Sequence, residues 1–301
     1  MKPHVEPLES RDLATVYVDL NGLGLWQWRE AAGWRQLAQE DPKEIDTDGQ
    51  GNVFASFGSG LWRWHDDDGW QHLTRLVPEQ SIPFSIGDVV ADFGGAGLWA
   101  WRDTAGWSQL SSLDAGQLAA GGSTSTIYAD FPGFGLWRWR QGTWSQLSPW
   151  NPEEIVAEVD AVFADFGVSG LWRWAVSTGW AMLAAQDPEG LSGRGGAVYG
   201  DFGDLGLWRW FDGEWRQLAA TNPASLEAAG SHSAYAVFSS GLWRWQAETG
   251  WRHLSASIPS SLSTGTFGLF ADFGTLGLWR WQAETGWRHL TALDPEQVTT
   301  F

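Results

Sequence analysis

The sequence predicts an all-β protein, an eight-bladed β-propeller, and three observations carry that prediction. The pair Trp-x-Trp recurs eight times, at Trp26/Trp28, Trp62/Trp64, Trp99/Trp101, Trp137/Trp139, Trp172/Trp174, Trp208/Trp210, Trp243/Trp245 and Trp279/Trp281, in steps of 35 to 38 residues. Within each unit the apolar residues alternate with period two, the signature of strands. Burying three indoles per unit falls short of the entropy lost in ordering some 36 residues, so neighbouring units must cover both faces of each small sheet.

The first element of a unit, strand A, is seen in Val162-Phe163-Ala164-Asp165-Phe166. Ala and Gly recur on it (Ala55, Ala129, Ala164, Gly200), which suits a crowded position at the propeller axis. A Gly-rich turn leads to strand B, Leu171-Trp172-Arg173-Trp174, whose two Trp share a face because side chains alternate. Gly-Leu precedes every pair, from Gly24-Leu25 to Gly277-Leu278. Strand C opens on a third Trp (Trp34, Trp70, Trp107, Trp144, Trp180, Trp215, Trp251, Trp287) and carries Leu three residues later, from Leu37 to Leu290. In two copies the B-to-C turn shortens to Gln141-Gly142 and Asp212-Gly213, hairpin turns that make B and C antiparallel neighbours.

The linker after strand C has a different signature. Trp150-Asn151-Pro152-Glu153-Glu154-Ile155 offers an N-cap Asn, Pro at N1, a capping-box Glu and an apolar staple between Trp150 and Ile155, and 293–298 repeats the pattern. This predicts a short helical turn in each inter-blade linker and blades of three to four antiparallel strands. One domain spans 1–301, with blade cores at 15–37, 52–73, 88–110, 126–147, 160–183, 197–218, 234–254 and 267–290. Glu6-Pro7-Leu8-Glu9 resembles a ninth linker, so one linker is redundant or the two ends overlap to close the ring.

Composition narrows the function. The net charge of −18 repels phosphate backbones and anionic lipid, which excludes nucleic acid as a partner. The chain has no Cys, hence no disulfide scaffold, thiolate metal site or cysteine nucleophile. No apolar run in the first twenty residues could serve a secretory signal, and none elsewhere reaches the length of a membrane span, so the expectation is a soluble, cytoplasmic protein.

The Gly-Leu-Trp-Arg-Trp hairpin followed by Gly-Trp-Arg-x-Leu resembles the Trp-rich repeats of tectonin- and tachylectin-type propellers over nearly the whole chain. That resemblance implies non-enzymatic recognition, often of carbohydrate, at sites repeated around the ring. The Gly-His and Trp-Asp that mark WD40 blades are absent from the repeat. An identical run, GLWRWQAETGWRHL, at 241–254 and 277–290 points to recent duplication or an engineered repeat.

Most repeated residues read as structure. The 24 register Trp read as a shared core. Asp19, Asp92, Asp130, Asp165, Asp201 and Asp272 precede the first Trp by seven residues, and the two copies without Asp, at Ser56 and Val237, have a shorter A-to-B turn. These Asp are expected to cap turn amides, because the repeat supplies no converging metal ligands. No metal or cofactor is expected. Arg63, Arg138, Arg173, Arg209, Arg244 and Arg280 sit between paired Trp, replaced by Gln27 and Ala100. They are expected to pair with a carboxylate or stack on an indole, or else to offer a fork to a ligand. Gln36, His72, Gln109, Gln146, Gln217, His253 and His289 stand two residues beyond the third Trp, with Met182 in the eighth copy. A polar donor beside a Trp can hold a sugar hydroxyl or satisfy a buried backbone group, and these are the leading ligand candidates. The run His65-Asp66-Asp67-Asp68 falls at a hairpin tip, where acids are ordinarily solvated.

Catalysis has no support, since a unique constellation is needed and polar residues here recur by copy. The expectation is a multivalent, non-catalytic carbohydrate-binding module between blades, or a structural or engineered repeat scaffold without a ligand of its own. Such a protein is expected as a monomer, with blade-swapped dimers open to it.

Overall fold

A computed structural model describes residues 14–121, 125–158 and 160–300. It contains eight sheets of four antiparallel strands arranged as a ring of blades. Blade 5 is representative. Its linker strand Glu154–Glu158 pairs with strand A, Ala161–Asp165, which pairs with B, Leu171–Ala175, and then C, Gly179–Ala184.

The linkers therefore form strands where the sequence predicts helical turns. Short 3-10 turns do occur, at Gly94–Ala96, Gly167–Ser169, Gly203–Leu205 and Gly274–Leu276, but they join strand A to strand B. The cap-like signals mislead because Pro152 needs no N–H partner at the entry to a strand, and pairing with strand A decides the conformation. The proposed staple is also absent: Ile155 is buried, whereas Trp150 is 73% exposed.

The linker strand, and not strand A, is innermost. Linker strands of consecutive blades contact one another all the way round: Glu44–Thr47, Gln80–Ser85, Gln117–Ala120, Glu154–Glu158, Gly190–Arg194, Ser225–Gly230, Ser261–Gly265, Pro295–Thr300 and back to the first. The small residues of strand A have another cause. Ala55, Ala129, Ala164 and Gly200 stand directly across from Trp62, Trp137, Trp172 and Trp208, so a small side chain leaves room for the first indole of each pair.

Ring closure is strand pairing between the ends. The last strand, Pro295–Thr300, completes blade 1 by pairing with Thr15–Leu20. The C-terminal linker copy thus supplies the missing inner strand, and the N-terminal copy at 6–9 lies outside the described residues.

The hydrophobic core is eight clusters, one for each seam between neighbouring blades. Val16, Val18 and Trp28 of blade 1, for example, pack with Phe270 and Leu278 of blade 8, and equivalent clusters fill the other seven seams.

Candidate functional site

Three sets of indoles do three different jobs. The third Trp of each blade donates its Nε1–H to the carbonyl of the repeat Leu in the preceding blade. All eight bonds form at 2.8–3.0 Å, from Trp70 to Leu37 round to Trp34 onto Leu290. The second Trp of each pair receives a guanidinium on its ring. Arg63, Arg138, Arg173, Arg209, Arg244 and Arg280 lie 4.8–5.7 Å over Trp101, Trp174, Trp210, Trp245, Trp281 and Trp28 of the next blade. Where Gln27 and Ala100 interrupt the pattern, Arg35 covers Trp64 at 5.0 Å and Arg102 covers Trp139 at 5.3 Å. The repeated Arg therefore lie in the seams between blades.

The first Trp of each pair is half-buried at one rim of the ring, where the A-to-B turns meet the linkers. Its Nε1–H donates to that turn. The acceptor is a backbone carbonyl such as Phe134 or Leu205 in six blades, and the hydroxyl of Ser59 or Ser240 in the two with short turns. The Gln and His candidates stand across from this Trp and are exposed. Gln36, Gln146 and Gln217 donate to the carbonyl that the indole also uses, at 2.8–3.0 Å, and Gln109 does so at 3.4 Å. His253 bonds the Ser240 carbonyl at 3.2 Å. His72, His253 and His289 lie against Trp62, Trp243 and Trp279 with ring centroids 4.2–4.7 Å apart, so the imidazole occupies part of the indole face.

Beside these indoles, solvent-open grooves run between blades. Trp172 and Trp180 floor one of about 600 Å³, with exposed Trp150 and Asn151 of blade 4 on its wall. Trp208, Trp215, Gln217 and Asp204 line the next, about 400 Å³. Trp243, Trp251 and Asn222 line the third, about 370 Å³. The same pair of aromatic positions recurs in each, which the repeat made visible. The contribution of Trp150 was not, because it belongs to a linker.

The strand-A carboxylates sit at the same rim. Asp92, Asp165, Asp201 and Asp272 each accept the N–H of the Gly two residues on, at 2.9–3.2 Å, and Asp92 also accepts the Ala115 N–H. Asp130 accepts from Asn151 at 2.5 Å. Asp19 is fully buried and neither of its oxygens has a hydrogen-bond partner. Burial first, and then neighbouring acids, push Asp19 up to about 7 and Asp165 up to about 6. Asp92 rises to about 6 from burial and Asp114, against the pull of the Ala115 and Gly94 amides.

Carboxylates do converge, against the expectation from spacing. Oxygens of Glu79, Asp92 and Asp114 lie within 4.8 Å of one another, as do those of Glu153, Asp165 and Asp187. Two linkers and a strand end meet at each, a juxtaposition invisible from a single unit. In the acidic hairpin, by contrast, Asp66 is taken by Arg29 and Arg35.

Among the residues missed by sequence reasoning is an inner ring of Glu and Gln opening the linker strands. Glu44 accepts the Ser81 N–H of the next linker strand, Gln117 that of Ile155, Glu154 that of Leu191 and Gln297 that of Ile45. For Glu44, Glu154 and Gln297 the signal was present as the acid or amide after Pro-x, which reads as a helix cap; Gln117 follows Ala115-Gly116 and carries no such mark.

These features define an eight-bladed β-propeller whose groups concentrate at the blade seams and at one rim. No protein-family model and no curated relative matches the chain by sequence. Solved structures match its fold. The computationally designed protein Ika8 has a TM-score of 0.59 at 14% identity, over 83% of this chain and 87% of that one. Sqt1 of Saccharomyces cerevisiae has 0.56 at 12%, over 87% and 90%. The C-terminal WD40 domain of Sif2 has 0.55 at 10%, over 88% of each. Among the described residues no helix is long and apolar enough to cross a membrane.

Proposed function

We propose that the chain is a non-catalytic recognition module that takes carbohydrate into the grooves between neighbouring blades. The recurrence of one aromatic pair on the floor of three open grooves carries this reading. A pyranose ring offers an apolar C–H face to an indole and hydroxyls to rim groups such as Gln217, Asp204, Asn151 and Asn222. The candidate Gln and His side chains act here as rim donors beside the first Trp. The six repeated Arg hold the seams instead. Net charge of −18 favours neutral or basic sugars over sulfated or sialylated ones. Equivalent sites around a ring suit weak individual binding raised by multivalency. The fold neighbours include WD40 propellers, which agrees with a module for interaction and not for chemistry.

Calorimetry and a glycan array test it. Saturable binding of a neutral sugar at millimolar concentration or below, weakened by Gln217→Ala or Trp150→Ala with unchanged melting, is the expected result. A second reading, a repeat scaffold without a ligand, draws on the fact that all eight third-Trp N–H groups and all eight second-Trp rings are consumed by blade-to-blade contacts. Absence of saturable binding to any sugar would select it.

A further inference from the structure

Seven of the eight blades set an aromatic of strand A across from the residue between the paired Trp. Tyr17 faces Gln27, Phe54 Arg63, Tyr128 Arg138, Phe163 Arg173, Tyr199 Arg209, Tyr235 Arg244 and Phe270 Arg280. Blade 3 has Val90 facing Ala100. The same blade is small just after its third Trp, where Ser108 stands in the place of Arg35, Arg216, Arg252 and Arg288. Both members of the usual pair and a strand-C side chain are thus cut back together, next to the seam with blade 4.

The space is only partly refilled. Phe84 enters from the linker strand and meets Trp139 edge-on, with ring centroids 6.4 Å apart. Arg102 brings its guanidinium to 5.4 Å from the Phe84 ring and 5.3 Å from that of Trp139. A solvent-open cavity of about 600 Å³ remains between blades 3 and 4. Phe84, Trp139 and Trp144 form its aromatic wall, and Arg102, Asp88 and Ser108 supply polar groups. The B-to-C turn Gln141-Gly142 also lines it, so it belongs to the rim opposite the A-to-B turns and their grooves.

The cavity holds one cation and one anion side by side. Val89 pairs with Trp101, and Asp88 and Arg102 are the next residues on that register. Arg102 gives an N–H to the Ser108 hydroxyl at 3.1 Å. Among the described residues it closes no salt bridge, unlike Arg63 and Arg140, which pair with Asp103 and Asp160. A guanidinium keeps its donors in the ring plane, so lying against aromatic rings leaves them open to a ligand. One Asp88 oxygen accepts the Asp103 N–H at 3.1 Å, which leaves the other.

We propose that this cavity binds a free aromatic α-amino acid, its carboxylate on Arg102, its ammonium on Asp88 and its ring against Phe84, Trp139 and Trp144. An α-amino acid carries a negative and a positive group on one carbon, the complement of adjacent cationic and anionic side chains. Its ring supplies the apolar area that an aromatic wall buries. A zwitterion also enters a protein of net charge −18 without the repulsion that a simple aromatic acid would meet there and at Asp88. The site occurs once per chain and does not depend on the carbohydrate reading.

The test is calorimetric titration of the full chain with L-tryptophan. Saturable uptake of one equivalent at millimolar concentration or below is expected. Tryptamine, which lacks the carboxylate, and N-acetyltryptophan, which lacks the ammonium, should each bind about tenfold more weakly or worse. Ser108→Arg copies blades 6, 7 and 8, where a second guanidinium lies over the indole of the next blade at 5.8, 5.6 and 5.1 Å. It should melt like the parent and lose L-tryptophan, while sugar binding at the other rim is retained. Arg102→Gln and Asp88→Asn, the latter keeping an acceptor for the Asp103 N–H, should each weaken binding about tenfold or more. No saturable uptake by the parent, or undiminished uptake by Ser108→Arg, would overturn the site. Indole binding as tightly as L-tryptophan would overturn the role of the charged pair.

Discussion

At the residue scale the repeated Gly before Leu-Trp shows how one atom can hold a position fixed in all eight copies. Gly97 has φ +79°, and a Cβ there would collide with the Ser111 carbonyl of strand C; Gly24, Gly60, Gly135, Gly170, Gly206, Gly241 and Gly277 stand in the same relation to their own strand C. Gly95, two residues earlier in the same turn, has open space and no positive φ. Gly97→Ala should therefore destabilise by about 2 kcal/mol or more, combining left-handed strain with the clash, whereas Gly95→Ala should melt like the parent. Denaturant melts of the two variants decide it. The third-Trp indole supports a similar comparison: Trp180→Phe keeps much of the ring but deletes the bond to Leu147, and about 1 kcal/mol is expected from unfolding curves. Titration belongs to this scale as well. Burial raises Asp19 and Asp46 to about 7, and Asp92 and Asp165 to about 6, from an ordinary value near 3.8. Between roughly pH 4 and 7 the folded chain thus binds more protons than the unfolded one, and stability falls as pH rises through that window. In EDTA the chain should melt higher at pH 5 than at pH 7.5, and a melt series showing the reverse would refute this assignment.

At the scale of elements, strands A, B and C were readable because their information is local: alternation, a shared Trp face and hairpin turns. The linker strand was not. Its residues are few and weakly alternating, and Pro, Asn and Glu signal a helix cap until strand A of the following unit is present to pair with them. Partners across a seam were half readable. The loss of Arg at Gln27 and Ala100 coincides with Arg35 and Arg102 nearby, yet only the ring shows that both pairs serve the same indole position in the next blade. The grooves were foreshadowed by the recurring Trp, while the acidic triads required two linkers and a strand end to be seen together. These seams make unequal demands on single residues. Trp64 is covered by Arg35 alone, whereas Trp245 carries both Arg209 and Arg216. Arg35→Ala should cost about 0.5–1 kcal/mol and Arg216→Ala less, as measured by chemical denaturation. The inner ring offers a larger effect. Gln117 accepts the Ile155 N–H and donates to the Pro152 and Glu153 carbonyls, so Gln117→Ala should cost about 1–3 kcal/mol by leaving those groups unpartnered.

For the molecule as a whole, the chain crosses the seam between blades 8 and 1 only to end on the inner strand of blade 1, and that seam determines how the ring opens. Its parts match the other seven: Trp34 donates to Leu290, Arg280 covers Trp28, and Phe270 packs with Val16 and Val18. Glu30 pairs with both Arg280 and Arg288, as Asp66 does with Arg29 and Arg35 one seam on; what sets blade 1 apart is that its inner strand, Pro295–Thr300, reaches Thr15–Leu20 through the ladder alone. Gln297 then continues the inner ring by accepting the Ile45 N–H and donating to the Lys43 carbonyl. Deleting residues 295–301 takes Val298 out of the seam cluster and strips the inner strand from blade 1, exposing the backbone edge of Thr15–Leu20. The loss of that ladder should lower the melting temperature by roughly 5 °C, for about 3 kcal/mol in a chain of this size. The bare edge should also capture the last strand of an intact chain when the two are mixed, seen as a new species in size-exclusion chromatography. A circular permutant opened at the exposed hairpin between strands B and C of blade 5, with the original ends joined, retains every ladder and should melt near the parent. If the truncated chain melts like the full one, pairing between the ends is not what holds the circle shut.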